Sequence, residues 1–232
     1  MSGSAPPRSA RWPVLGWLDR WLYRRPFEGQ SGLRYLRNAR PAFESFDDRV
    51  LDLIAEPLGR ATCMLELGAG GGAFACAAAA RFPRLRVLAV EPSDVLARRA
   101  RAAAAARPSI RVLRARAEAL PLRTASVEVA ACISSLRHFS DRERSLLELR
   151  RVLVPGGTLV IAELDPQAPA RRIAHHAEGL RGRALGLAFG ALVVRTAPPA
   201  HQVVALAERA GFSLRRRVDD PLQPLYVLEL TR

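Results

Sequence analysis

The sequence predicts an α/β protein in three layers, with helices on both faces of a doubly wound, mostly parallel sheet. Three observations carry this. Short apolar runs alternate with helix-type segments from residue 63 to residue 164, the pattern of repeated βαβ units. Glycines Gly68, Gly70, Gly71 and Gly72 stand directly after the first apolar run and before an alanine-rich helix former. Near the end, Phe212–Val218 and Tyr226–Leu230 follow each other across a Pro-rich turn, which favours an antiparallel pair at the sheet edge.

The first strand is expected over 63–68, and the helix over 71–82 stops before Pro83. A second strand over 86–91 ends in Glu91. Ser93 is the N-cap candidate for a helix over 93–106, with Asp94 favourable in its first turn. Strands follow over 110–115 and 127–133. Ser140-Asp141-Arg142-Glu143 has the spacing of a capping box and opens the next helix. Pro155-Gly156-Gly157 is expected to break that helix before a fifth strand over 158–164, and a last helix spans 199–210.

Outside this core the pattern is looser. Residues 1–10 read as a disordered tail. Residues 11–60 read as a helical segment serving as cap or substrate lid, and 61–232 as the core, with 166–198 as a variable substrate-covering insertion. Trp12, Trp17 and Trp21 are the only tryptophans. With Arg20, Arg24 and Arg25 they suggest either a helix resting weakly on a membrane surface or an aromatic face packed over the core. Within 28–60 the apolar residues are spaced as one or two amphipathic helices, whose aromatics could also shape a substrate pocket.

The chain has 232 residues, is 49% hydrophobic and carries a net charge of +14. That is enough apolar material for a full core and excludes a disordered chain. All 36 basic residues are arginine, none lysine, and Asn38 is the only asparagine. This bias reads as a GC-rich coding background, so the charge is weak support for a nucleic-acid partner. No apolar stretch reaches the roughly 18–20 residues of a bilayer span, and the first residues lack a signal-peptide core, so the expectation is a soluble cytoplasmic protein. Cys63, Cys76 and Cys132 show no C-x-x-C spacing and read as reduced thiols, with no metal site expected.

A glycine loop after the first strand suits two kinds of ligand. A dinucleotide site needs an acidic residue on the second strand for a ribose, which Glu91 supplies, but any adenosine ligand would use the same group. Glu66 separates them. Beside a pyrophosphate its charge would repel; beside a cationic amino-acid moiety it would attract. An adenosine with a cationic tail is S-adenosylmethionine.

Four stretches then carry a resemblance: Glu66-Leu-Gly-Ala-Gly-Gly-Gly72, Val90-Glu91-Pro92-Ser93, Ala117-Glu118-Ala-Leu120-Pro121 and Glu148-Leu-Arg-Arg-Val-Leu-Val-Pro-Gly-Gly157. In this order the chain resembles the class I S-adenosylmethionine-dependent methyltransferases, which are Rossmann-like, and most of all their ubiquinone and menaquinone ring-methylating branch. The resemblance implies S-adenosylmethionine as cofactor, with Glu66 near its amino group and Gly68, Gly70 and Gly72 forming the loop. It places Glu91 on the ribose, Ala117 and Glu118 at the adenine, and Ser134 beside the methionine part and the transferring methyl. It implies a small-molecule acceptor.

Two departures stand out. Arg116 occupies the place where the family usually has an aspartate accepting from the adenine amino group, and a guanidinium has donors only. Glu128 and Arg137-His138 replace a family aspartate and a His-His pair. His138 follows the fourth strand at the open end of the sheet and is the candidate base, should the acceptor have to lose a proton. His175 and His176 fall in the covering segment, and His201 at a surface helix start. The alternatives are a non-catalytic S-adenosylmethionine-binding protein, motivated by Arg116, and a nucleic-acid methyltransferase, motivated by the charge.

Overall fold

The computed structural model describes residues 27–38, 44–179, 192 and 194–232. The tryptophan segment and the expected tail lie outside the described residues, as do the side chains of His175 and His176.

Seven strands form one sheet in the order β3-β2-β1-β4-β5-β7-β6. They are β1 (Cys63–Leu67), β2 (Arg86–Val90), β3 (Ile110–Leu113), β4 (Val127–Ile133), β5 (Leu153–Leu164), β6 (Ser213–Asp219) and β7 (Leu225–Thr231). The first five run parallel; β7 pairs antiparallel with both β5 and β6. The antiparallel pair is therefore present, but only β6 is an edge strand, because the last strand inserts beside β5. That placement follows from content: β7 is buried along its length and needs neighbours on both sides, whereas β6 is largely exposed and rich in arginine.

Among the described residues three helices precede the sheet, α1 (Gly29–Asn38), α2 (Glu44–Leu53) and α3 (Ala55–Arg60). The others are α4 (Ala73–Arg81), α5 (Asp94–Ala104), α6 (Arg142–Val152), α7 (Ala170–Gly179) and α8 (Ala200–Arg209). Side chains alternate along β1, so Leu65 and Leu67 face one layer and Met64 and Glu66 the other. On the first face, Leu146 and Leu149 of α6 and Val203 and Leu206 of α8 pack on Leu65, Ala130, Leu159 and Leu228. On the second, Phe46, Val50 and Leu51 of α2 and Phe74, Ala75 and Ala78 of α4 pack on Met64, Val129 and Val160.

Two local expectations are corrected. The N-cap of α6 is Asp141, whose carboxylate accepts from the Arg144 amide at 2.9 Å, not Ser140. Ser140 is held elsewhere, its amide donating to Glu118 at 2.8 Å. The helix also ends at Val152, and β5 begins at once at Leu153. Pro155-Gly156-Gly157 forms a bulge within that strand, where the register passes from Val127↔Leu153 to Val129↔Thr158. Ser93 caps α5 as expected, accepting from the Leu96 amide.

Candidate functional site

A cavity of about 370 Å³ opens at the C-terminal ends of β1, β2 and β4, where ligands of open α/β sheets sit. Its floor is the loop 68–72. The amides of Gly68 and Ala69 both donate to the Val90 carbonyl, at 2.8 and 3.1 Å, which locks the loop onto β2. Gly68 has φ +74°, and a Cβ there would lie 2.6 Å from Cβ of Ser135. Gly70 has φ +54° and no atom within 4 Å of where its Cβ would be, so the backbone at this point borders open space. Gly72 is the N-cap of α4 and abuts Ala100 of α5.

Two carboxylates flank the loop. Glu66, the penultimate residue of β1, is 3% exposed and lines the cavity. Glu91 follows β2; one oxygen accepts from the Gly70 amide and the other from the Ser93 amide, each at 2.8 Å. Burial pushes the Glu91 carboxyl above its ordinary range, and these two amides oppose the shift. Each oxygen keeps a second lone pair for a ligand hydroxyl.

At the side that the resemblance gives to adenine, Ala117 is buried in the wall. Glu118 lines the cavity, while its carboxylate accepts from the amides of Ser140 and Asp141, at 2.8 and 3.0 Å, and faces Arg116 at 3.5 Å. Arg116 also donates to the Ser140 hydroxyl. Its guanidinium is thus engaged in holding this corner of the wall. The next turn is clamped from α6: Glu148 accepts from the Leu120 amide at 3.0 Å and from Arg151, which donates to the Leu122 carbonyl at 2.8 Å. The glutamate and arginine of the fourth sequence stretch therefore act on the loop below the site.

After β4 the chain turns sharply. Ser134 has φ +49°, its amide donates to the Ala162 carbonyl at 2.8 Å, and its buried hydroxyl makes no hydrogen bond among the described residues. Ser135 donates to the Leu67 carbonyl at 2.7 Å. A 3₁₀ turn, Leu136–His138, then separates the two residues that replace the family's His-His pair. Arg137 points inward and pairs with Glu163 at 3.1 Å, the two side chains being 4% and 0% exposed. Burial raises the Glu163 carboxyl, with Arg137 opposing. His138 lines the cavity, with Phe27 edge-on against it at 4.7 Å. Glu128, the other replacement, lies at the opposite end of the sheet, accepting from the Thr62 and Cys63 amides.

The N-terminal residues complete the wall, Phe46 as one of the aromatics expected to shape a pocket, Phe27 and Asp47 without having been assigned a role from the sequence. Phe27, Phe46 and Asp47 all line the cavity. The Phe27 carbonyl accepts from the Ser93 hydroxyl at 2.7 Å, so the N-cap of α5 also anchors this segment. The signal was present in the position of Phe46-Asp47 at the start of an amphipathic helix, but periodicity alone does not say which cavity a first turn borders. Among the described residues no group of three His, Cys, Asp or Glu side chains is placed to hold a metal ion, and no helix is long and apolar enough to cross a membrane.

Fold and site together define a Rossmann-like nucleoside-binding protein of the methyltransferase type. Residues 65–161 match the family described as Methyltransferase domain. A demethylmenaquinone methyltransferase of Thermus thermophilus is 34% identical over 119 residues, covering 51% of this chain and 53% of that protein. A dimethylglycine N-methyltransferase of Parasynechococcus marenigrum is 35% identical over 122 residues, covering 51% and 42%. The chain thus matches about half, or less, of the length of its curated relatives. Among solved structures, an S-adenosylmethionine-dependent methyltransferase from Aquifex aeolicus superposes with TM-score 0.63 at 15% identity, over 81% of this chain and 97% of that one. The methyltransferase resemblance read from the sequence is borne out. S-adenosylmethionine is the cofactor of this family, and the cavity fits it: open space beside the Gly70 backbone, a carboxylate on either side, and an unsatisfied hydroxyl at Ser134.

Proposed function

We propose that the chain transfers a methyl group from S-adenosylmethionine to a small-molecule acceptor by in-line displacement. The observation that supports this most is the pairing of Glu66 and Glu91 across the open backbone of Gly70, one carboxylate for a cationic tail and one for ribose hydroxyls. Bound there, the cofactor supplies an electrophilic methyl on a positively charged sulfur.

The protein's part is placement and exclusion of water. Glu66 holds the ammonium, Gly68, Gly70 and Gly72 let the loop approach, Glu91 accepts from the ribose, and Ala117 and Glu118 border the adenine. Ser134 borders the methionine part. His138 faces the acceptor and holds its proton where one must be lost, and Phe27 closes that side. Residues 11–60 act as the lid and 166–198 as the acceptor cover. The two relatives above match equally well and are named for acceptors of different chemistry. Acceptor choice therefore resides outside the shared core, in those two segments.

Calorimetry with S-adenosylmethionine and S-adenosylhomocysteine, followed by an acceptor panel with quinols, phenols and amines, tests the proposal. Micromolar binding with turnover on one class is expected; no binding of either ligand sinks it. Arg116 favours a second reading, cofactor binding without transfer, which predicts binding and no turnover across the whole panel.

A further inference from the structure

We infer that the protein carries a second binding site, for a small organic anion with an apolar body, at the opposite end of the sheet from the cofactor cavity.

Strand register places its floor. Along β2, Val87 and Ala89 belong to the layer of α2 and α4, so Arg86, Leu88 and Val90 face the other layer. Along β3, Ile110 and Val112 turn the same way as Val87, which puts Arg111 on the face of Leu88, its direct register partner. Over β1, β4, β5 and β7 this face is covered by α6 and α8. The connection from β3 to β4 holds no helix, so over β2 and β3 the face is roofed by loop 114–126. Under that roof, at the N-terminal ends of the two strands, lies a cavity of about 480 Å³. That is the size of a small-molecule pocket.

Its wall is of two kinds. Leu88, Pro121 and Leu122 give it an apolar side, and Arg86, Arg111 and Arg123 a basic one, with no carboxylate among its lining residues. Glu128, outside the wall, offsets part of the Arg86 charge. The side chains of Arg111 and Arg123 make no hydrogen bond or ion pair among the described residues. Nearby arginines are engaged, Arg114 with Asp94, Arg116 with Glu118 and Arg151 with Glu148. Two guanidiniums are therefore available to close on an oxyanion. The roof that carries one of them is already held: Arg151 donates to the Leu122 carbonyl at 2.8 Å, and the Ser126 hydroxyl to the Arg123 carbonyl at 2.6 Å. Little ordering is then required on binding. A nucleic-acid backbone would call for an open basic strip. A concave wall with leucine and proline faces instead fits one aryl or alkyl group beneath one phosphate or carboxylate head.

The test is calorimetry on the full chain with phenyl phosphate and benzoate, against inorganic phosphate and acetate as the same heads without the ring. Each aryl ligand is expected to bind about tenfold more tightly than its bare head, because the ring reaches the apolar side. Combining Arg111→Gln with Arg123→Gln should weaken phenyl phosphate about thirtyfold or more. Combining Arg99→Gln with Arg101→Gln removes the same charge from the exposed surface of α5 and should leave affinity within about twofold. Equal losses in the two double variants would reduce the effect to net charge and overturn the inference. So would equal affinity for heads with and without the ring, or tighter binding of a single-stranded RNA that displaces phenyl phosphate. Displacement by S-adenosylhomocysteine would place the probe in the cofactor cavity and overturn it as well. If the double variant does not fold, Arg111→Gln and Arg123→Gln singly carry the comparison, at about fivefold each. No turnover is read, so the outcome does not depend on the function proposed above.

Discussion

The two ends of the cavity are built differently. One end, the adenosine end of the proposed function, is made of backbone: loop 68–72, the Val90 carbonyl, and amides gathered by Glu91 and Glu118. The rest of the wall is made of side chains from distant parts of the chain, with Phe27, Phe46, Asp47 and His138 meeting only in the fold. A backbone-built wall tolerates little sequence change, because glycine and a strand-end carboxylate are close to obligatory there. A side-chain wall can be replaced residue by residue. Such a molecule keeps its cofactor and changes its substrate.

The joint between the two ends is the turn after β4, and breaking it should have the largest effect. Arg137 and Glu163 are both buried, so Arg137→Ala leaves a carboxylate in the interior without its guanidinium. The expected loss is about 3–5 kcal/mol in denaturant melts. Replacing both by methionine should restore most of that stability, because the cost lies in the stranded charge. If the double variant is no more stable than Arg137→Ala, the pair is not the joint.

Two glycine substitutions sharpen the contrast between fold and site. Gly68→Ala meets both the left-handed backbone penalty and the Ser135 side chain, and should cost about 2–4 kcal/mol of stability. Gly70→Ala meets only the backbone penalty, about 1 kcal/mol, yet it directs a methyl group toward the open space of the cavity. S-adenosylhomocysteine affinity should therefore fall in Gly70→Ala by far more than its melting temperature suggests. Parallel losses in the two variants would erase the distinction.

Glu91 offers a gentler probe of the adenosine end. It must be ionised to accept from ribose, and burial lifts its carboxyl above the ordinary range. Affinity for S-adenosylhomocysteine should hold at neutral pH and fall as the pH drops through that raised value, earlier than an exposed glutamate would dictate. Glu91→Gln should bind more weakly and show a flatter pH profile. For stability the sign is opposite: the folded protein keeps this proton longer than the unfolded chain, so Glu91 contributes less as pH rises through the same window.

Most of the fold was legible because its signals are local. The alternation of strands and helices, the Ser93 cap and the final strand pair each depend on a few adjacent residues. What escaped depends on pairings across the sheet. Insertion of β7 between β5 and β6 follows from its burial on both faces, which a sequence of alternating apolar residues only hints at. Ser140 and Asp141 are both good caps; the Ser140 hydroxyl is engaged by Arg116, while the Asp141 carboxylate accepts from the Arg144 amide. In the same way, Arg137 and His138 read as one altered motif. The 3₁₀ turn sends one into the core and the other into the cavity. Asp47 was invisible as a cavity residue because nothing local distinguishes a charged first-turn residue facing water from one facing a cavity.

The smallest expected effect concerns the clamp beneath the adenosine end. Glu148 lies below the ordinary carboxylate range, chiefly through its hydrogen bonds with Arg151, with partial desolvation opposing and the Leu120 amide assisting. Its folded value is depressed, so its contribution is complete above the unfolded value and is lost as pH falls through the folded one. The pair is only partly covered and reached by solvent, and Glu148→Gln should cost about 1 kcal/mol at neutral pH. That variant should also lose part of the acid sensitivity between the two values. Because the clamp holds the Leu120–Leu122 turn rather than touching a ligand, S-adenosylhomocysteine affinity should stay within about twofold of wild type. A larger affinity loss would mean that the backbone-built end depends on side chains outside its own wall.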